Sequence, residues 1–141
     1  MKAMWLYRIA SVLLILFAAG HTFGFLKFSP STPEGLAVRD AMNNVHFPID
    51  GGTYSYGGFY KGFGFHVTAY LLFSAFLAWH LGGLARKHPE AIGALGWIFF
   101  VVQAIGLVLS WNYFFTVPVI FSGLIAICLG WAAWRVAAAK V

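Results

Sequence analysis

The sequence predicts an all-α membrane protein: a four-helix transmembrane bundle with a long outer loop between helices 1 and 2. Three observations carry this. Of 141 residues, 61% are hydrophobic and only 9% charged, whereas soluble domains carry about a quarter charged residues; the mean hydropathy is +0.81. The apolar residues fall into stretches long enough to cross a bilayer, which takes about 20 residues of helix. The lysines and arginines stand in ones and twos at the ends of those stretches. Residues 1–141 therefore read as a single transmembrane domain without a soluble appendage.

Span one covers about 5–26, interrupted only by Arg8. Lys2 and Arg8, an apolar core and then Ala18, Ala19 and Gly20 also resemble a secretory signal; the segment is read here as a retained span. Span two covers about 59–84, with Lys61 near its beginning. No charged residue follows between Ala91 and Trp134. One helix of that length would measure roughly 65 Å, about twice the hydrocarbon core, so the chain must fold back. The polar residues and proline of "SWNYFFTVP", Ser110 to Pro118, permit the turn. That leaves span three at about 91–111 and span four at about 117–134.

Charge then orients the spans. Lys2, Arg8, Arg86, Lys87, Arg135 and Lys140 share one side with a single acid, Glu90. Lys27, Arg39 and Lys61 on the other side are balanced by Glu34, Asp40 and Asp50. The positive-inside rule places both termini in the cytoplasm, with the protein integral to the inner membrane. Trp5, Trp79, Trp97, Trp111, Trp131 and Trp134 mostly lie within two turns of a span end, as interfacial anchors do. Basic residues scattered in this way form no nucleic-acid face. Cys128 stands alone in an apolar run with no nearby base and reads as inert.

The outer loop, 28–58, opens with helix-start chemistry. Ser31 and Glu34 have capping-box spacing, and Pro33 suits a first turn. A short surface helix is expected, with Leu36, Met42 and Val45 on its apolar side and Arg39 and Asp40 pointing elsewhere. Asp50-Gly51-Gly52 signals a tight turn, and Thr53, Tyr54 and Tyr56 suit a short extended piece. Gly20-x-x-x-Gly24 and Gly58-x-x-x-Gly62 are small-xxx-small patterns that let membrane helices approach closely. They predict that spans one and two pack at their outer ends, with Gly64 continuing the smooth patch.

Each span also places a polar side chain in its outer half. At 1.5 Å per residue, His21 lies about 9 Å from Lys27, and His66 about 7 Å from Lys61. Gln103 lies about 12 Å below Trp111, and Ser122 about 6 Å below Pro118. Tyr70, four residues after His66, shares its helix face, and His80 lies in the inner half near Arg86. Intramembrane ionisable groups usually face a bundle interior and mark functional sites, although a lone histidine is often only a structural hydrogen-bonder. The expectation is that His21 and His66 face a shared cavity lined by Tyr70, Gln103 and Ser122, with Tyr60 at the entrance to span two.

Such a pocket would bind a small apolar or lipid-like molecule. Neutral imidazole can hydrogen-bond a carbonyl or hydroxyl and move a proton. No acid lies within a span, so any acid–base chemistry would rest on the histidines and tyrosines, and enzymatic activity is left open. One alternative is a haem b electron-transfer protein with His21 and His66 as axial ligands. Another is an accessory or assembly subunit of a larger membrane complex, or a homo-oligomer, in contact with membrane lipids.

With "LYRIASVLLILFAAGHTFGF" and "GGFYKGFGFHVTAYLLFSAFLAWHLGGLA" read, the chain resembles a family of small four-span bacterial membrane proteins to which no activity is assigned. In size and span count it is also similar to sterol-isomerase-like membrane proteins and to the DoxX-like group. The membrane-buried carboxylates expected of the sterol-isomerase type have no counterpart here.

Overall fold

The computed structural model describes residues 2–139, so Lys140, counted above among the basic residues, lies outside the described residues. The chain is an all-α membrane bundle. Its four long apolar helices are α1 (Lys2–Lys27), α3 (Tyr56–Lys87), α4 (Leu95–Tyr113) and α5 (Thr116–Ala138). Between α1 and α3 lie a short helix, α2 (Pro33–Asn44), and two strands, β1 (His46–Ile49) and β2 (Gly52–Ser55). The helices outrun most of the apolar stretches because terminal charged residues extend a helix without entering the apolar core. The third span is the exception: it starts at Leu95 rather than at 91. A 3-10 turn at Pro89–Ala91 and Gly93, whose φ is +50°, occupy the intervening residues.

The chain divides into two compact units, and α1 and α3 contribute a stretch to each. The first unit contains the chain up to Phe17 and from Leu71 onward. Its buried positions recur at spacings of three and four, one stripe per helix. On α1 they are Tyr7, Ala10, Ser11 and Leu14. On α5 they are Ser122, Ile125, Ala126, Leu129, Ala132, Ala133 and Val136. Small residues let the backbones approach: a Cβ on Gly96 would meet the Tyr7 hydroxyl at 2.8 Å, and one on Gly130 the Phe100 ring at 2.9 Å. Ile9, Leu16, Phe73, Phe76, Ile98 and Ile105 are exposed on the outer surfaces of the helices, as a lipid environment favours.

Several polar side chains inside this unit are hydrogen-bonded within the protein. Ser11 Oγ donates to the Ala75 carbonyl at 2.8 Å, tying α1 to α3. Gln103 Nε2 donates to Ser74 Oγ at 3.3 Å, and the Ser110 and Ser122 hydroxyls meet at 3.1 Å. Phe17 stacks on Phe121 with ring centres 5.4 Å apart.

The second unit runs from Ala18 to Tyr70. Helix α2 starts at Pro33, but its cap is Thr32, not Ser31: the Thr32 side chain accepts from the Gly35 amide at 3.1 Å. Proline at the first helical position makes the preceding residue the cap, and no capping box forms. Strands β1 and β2 pair antiparallel, Phe47 opposite Tyr54 and Ile49 opposite Gly52. Asp50 and Gly51 form the two-residue turn with φ of +48° and +79°, the left-handed geometry that a tight hairpin requires at both positions. Ser55 then caps α3, its Oγ accepting from the Gly58 amide at 3.1 Å. Phe47, Tyr54, Tyr56 and Phe59 gather against the hairpin with ring centres 4.8 to 5.9 Å apart.

Candidate functional site

Within this second unit, α1 and α3 meet along Ala18, Thr22 and Phe25 on one side and Gly64 and Thr68 on the other. The hydroxyls of Thr22 and Thr68 are 2.8 Å apart, and each also reaches a carbonyl of its own helix, Ala18 O at 2.7 Å and Gly64 O at 3.1 Å. The Phe25 ring lies where a Cβ on Gly64 would fall, at 2.9 Å. The glycine patterns expected to form this contact do not: Gly20, Gly24 and Gly62 have nothing within 4 Å of a built Cβ. The approach is made at Gly64, which lies on the stripe facing α1, while the other three glycines are exposed.

His21 is half-buried, and its Nε2 lies 3.1 Å from the Gly64 carbonyl. A carbonyl only accepts, so Nε2 carries the hydrogen and the imidazole acts as a donor between α1 and α3. His66 is exposed, and its Nδ1 donates to the Gly62 carbonyl of its own helix at 3.0 Å. His66 stands two positions after Gly64, which places them about 200° apart around α3. The imidazole expected to share a cavity with His21 therefore points away from α1, and the two rings do not converge as an axial haem pair.

Gln103 and Ser122 lie buried in the first unit, bonded as described above. Tyr70 is exposed on α3. Among the described residues, no three His, Cys, Asp or Glu side chains gather around a common point as metal ligands would.

A cavity of about 760 Å³ lies instead beneath α2. Gly35, Val38, Arg39, Asp40, Met42 and Asn43 line it from α2; all but Asp40 recur at spacings of three and one, on a single helix face. Arg39 thus lines the cavity rather than pointing elsewhere, and Val45 is exposed. Phe25, Leu26, Phe28 and Pro30 contribute from the end of α1 and the residues after it, and Gly57, Tyr60 and Lys61 from the first turns of α3. Of the residues expected to bind a ligand, Tyr60 alone reaches this cavity.

Its wall divides by chemistry. Phe25, Leu26, Phe28, Val38 and Met42 form an apolar part, with Phe25 edge-on to Tyr60 at 6.5 Å between ring centres. Arg39, Asp40, Asn43, Tyr60 and Lys61 form a polar part with one more positive than negative charge. Arg39 is held in place: its Nη1 donates to Ser29 Oγ at 2.8 Å, its Nε lies 3.9 Å from Asp40, and its carbonyl accepts from Asn43 Nδ2 at 2.9 Å. Two glycines bring α2 this close, since a Cβ on Gly35 would overlap Pro30 at 2.6 Å and one on Gly57 would overlap Asn43.

The cavity was not visible in the sequence as a ligand site because its α2 face mixes glycine, arginine and asparagine with apolar residues. The spacing of Val38, Arg39, Met42 and Asn43 is the signal that points to it. Comparison of the chain with models of protein families, with curated proteins and with solved structures finds no match in any of the three.

Proposed function

We propose that the protein binds a small amphiphile in the cavity beneath α2, its apolar part against Phe25, Phe28, Val38 and Met42 and its polar group toward Arg39, Tyr60 and Lys61. The observation that carries this reading is the two-sided lining of a cavity of about 760 Å³. Ligand pockets have roughly this size, about 300–1,000 Å³, and combine mostly apolar walls with a few placed polar groups. An arginine already fixed by Ser29 and Asp40 gives up little freedom on meeting a carbonyl, hydroxyl or carboxylate. His21 supports the site indirectly: its ring lies 5.2 Å from that of Phe25 in the cavity wall.

The excess of basic residues at the start of α1, after α3 and at the end of α5 supports both termini on the cytoplasmic side of an inner membrane. A fluorescent reporter fused to the C-terminus would then mature in the cytoplasm.

Native mass spectrometry of the protein in mild detergent tests the binding. Wild type is expected to retain an adduct of lipid-like mass, and Val38→Trp, which puts a bulky ring on the apolar wall of the cavity, to retain less of it. The reading fails if wild type carries no adduct, or if the tryptophan variant keeps it undiminished.

A further inference from the structure

The first unit contains a second cavity, of about 370 Å³. His80, Gly83, Leu84, Lys87 and His88 line it from α3 and the residue after it, at the spacing of one helix face, with Arg86 beside them. Met4 and Arg8, one turn apart, line it from α1. Two arginines, a lysine and two histidines thus surround it, and none of its lining residues is acidic. The nearest carboxylate in sequence, Glu90, is engaged by His88, whose Nδ1 lies 3.3 Å from Glu90 Oε1.

Arg86 and Lys87 alone have an ordinary explanation, because cations favour the last turn of a helix. Arg8, a span-end cation like them, is in addition held by its neighbours. Its guanidinium carbon lies 3.2 Å from the centre of the Trp79 ring, so one face is covered by the indole. Gly82 makes the room: a Cβ there would meet Arg8 Nε at 3.2 Å and Arg8 Cδ at 3.4 Å. Arg8 Nη1 is shielded from the surface and has no hydrogen-bond partner. A buried charged donor without an acceptor is costly, and Arg8 also lines a cavity to which Arg86 and Lys87 bring two further cations.

We infer that this cavity is a binding site for a phosphate-bearing anion, lined by Arg8 from α1 and by Arg86, Lys87 and the two histidines from α3 and the residue after it. Guanidinium geometry matches two phosphate oxygens at once, and stacking on Trp79 holds the planar group ready. Basic pockets at the ends of transmembrane helices take lipid headgroups of this chemistry. A phosphodiester headgroup and free phosphate are the two sources of the anion. The inference does not depend on the amphiphile reading, since the two cavities share no residue.

The test is a titration of full-length protein in mild detergent, read by native mass spectrometry. Phosphatidylglycerol and phosphatidylcholine with identical chains serve as probes. Phosphatidylglycerol is expected to bind at least about tenfold more tightly than phosphatidylcholine. Arg8→Gln is expected to abolish that preference, and the double variant Arg86→Gln/Lys87→Gln, at exposed positions where folding is not at risk, to reduce it several-fold. Displacement of the bound lipid by millimolar inorganic phosphate identifies the free ion as a ligand of the site. Resistance to displacement identifies the headgroup, and both support the site. Equal binding of the two lipids, or a preference unchanged in both variants, overturns the inference. So does a preference lost in Lys61→Gln and kept in Arg8→Gln, which assigns the lipid to the cavity beneath α2.

Discussion

The two units use polar residues in opposite ways. In the first, Ser11, Ser74, Gln103, Ser110 and Ser122 are buried and bonded within the protein, among Leu14, Leu81, Ile125 and Leu129. In the second, only Ala18, Gly57 and Gly64 are buried among the described residues, and Arg39, Asn43, Tyr60 and Lys61 line a cavity. Where packing is complete, a polar pair acts as one more interhelical contact, worth about 0.6 kcal/mol on average in membrane proteins. Where packing is open, polar groups line a cavity, the one proposed above to take an amphiphile. Tyr7, Arg8 and Arg135 depart from the pattern in the first unit, each keeping a buried polar atom without a partner.

Truncation is expected to separate the units most sharply. Leu129→Ala removes a fully buried side chain and should cost about 3 kcal/mol, whereas Val38→Ala on the cavity face of α2 should change stability by less than about 0.5 kcal/mol. Reversible unfolding in mixed micelles measures both, and similar losses would show that the second unit is as tightly packed as the first. A smaller difference is expected between the histidines. His21→Leu removes a donor to Gly64 and should cost about 1 kcal/mol, while His66→Leu at an exposed position should cost almost nothing; a larger loss at His66 would restore it as a structural or ligand-contacting residue. The smallest effect belongs to Tyr7, which is fully buried with its hydroxyl unpartnered. Tyr7→Phe should leave the melting temperature unchanged or raise it slightly, and a clear drop would reveal an acceptor for that hydroxyl.

The four spans were legible because hydropathy and helix length are local properties. The turn at Ser110–Pro118 was equally plain, and α4 and α5 part at Phe114 and Phe115 within it. Position along a helix can be counted from sequence, but it says nothing about direction around the helix. His21 faces the other helix and His66 does not. Gly64, Thr68, Leu71, Ala75, Ala78 and Gly82 alternate in steps of four and three along α3; tracing that stripe excludes His66 from it. The glycine patterns misled for the same reason, since three glycines on the outward side of a helix have the same spacing as three on a contact. The cavity beneath α2 depends on residues distant in sequence, Phe25, Met42 and Lys61, which no local pattern connects.

The short link between α4 and α5 also bears on the entropy of assembly. Two residues close that helical hairpin, so its contacts form at almost no loop-closure entropy. The α1–α3 contacts span α2 and both strands. The contacts between Thr22 and Thr68 and between Ser11 and Ala75 close much longer stretches of chain, and so carry a larger closure entropy than the α4–α5 hairpin.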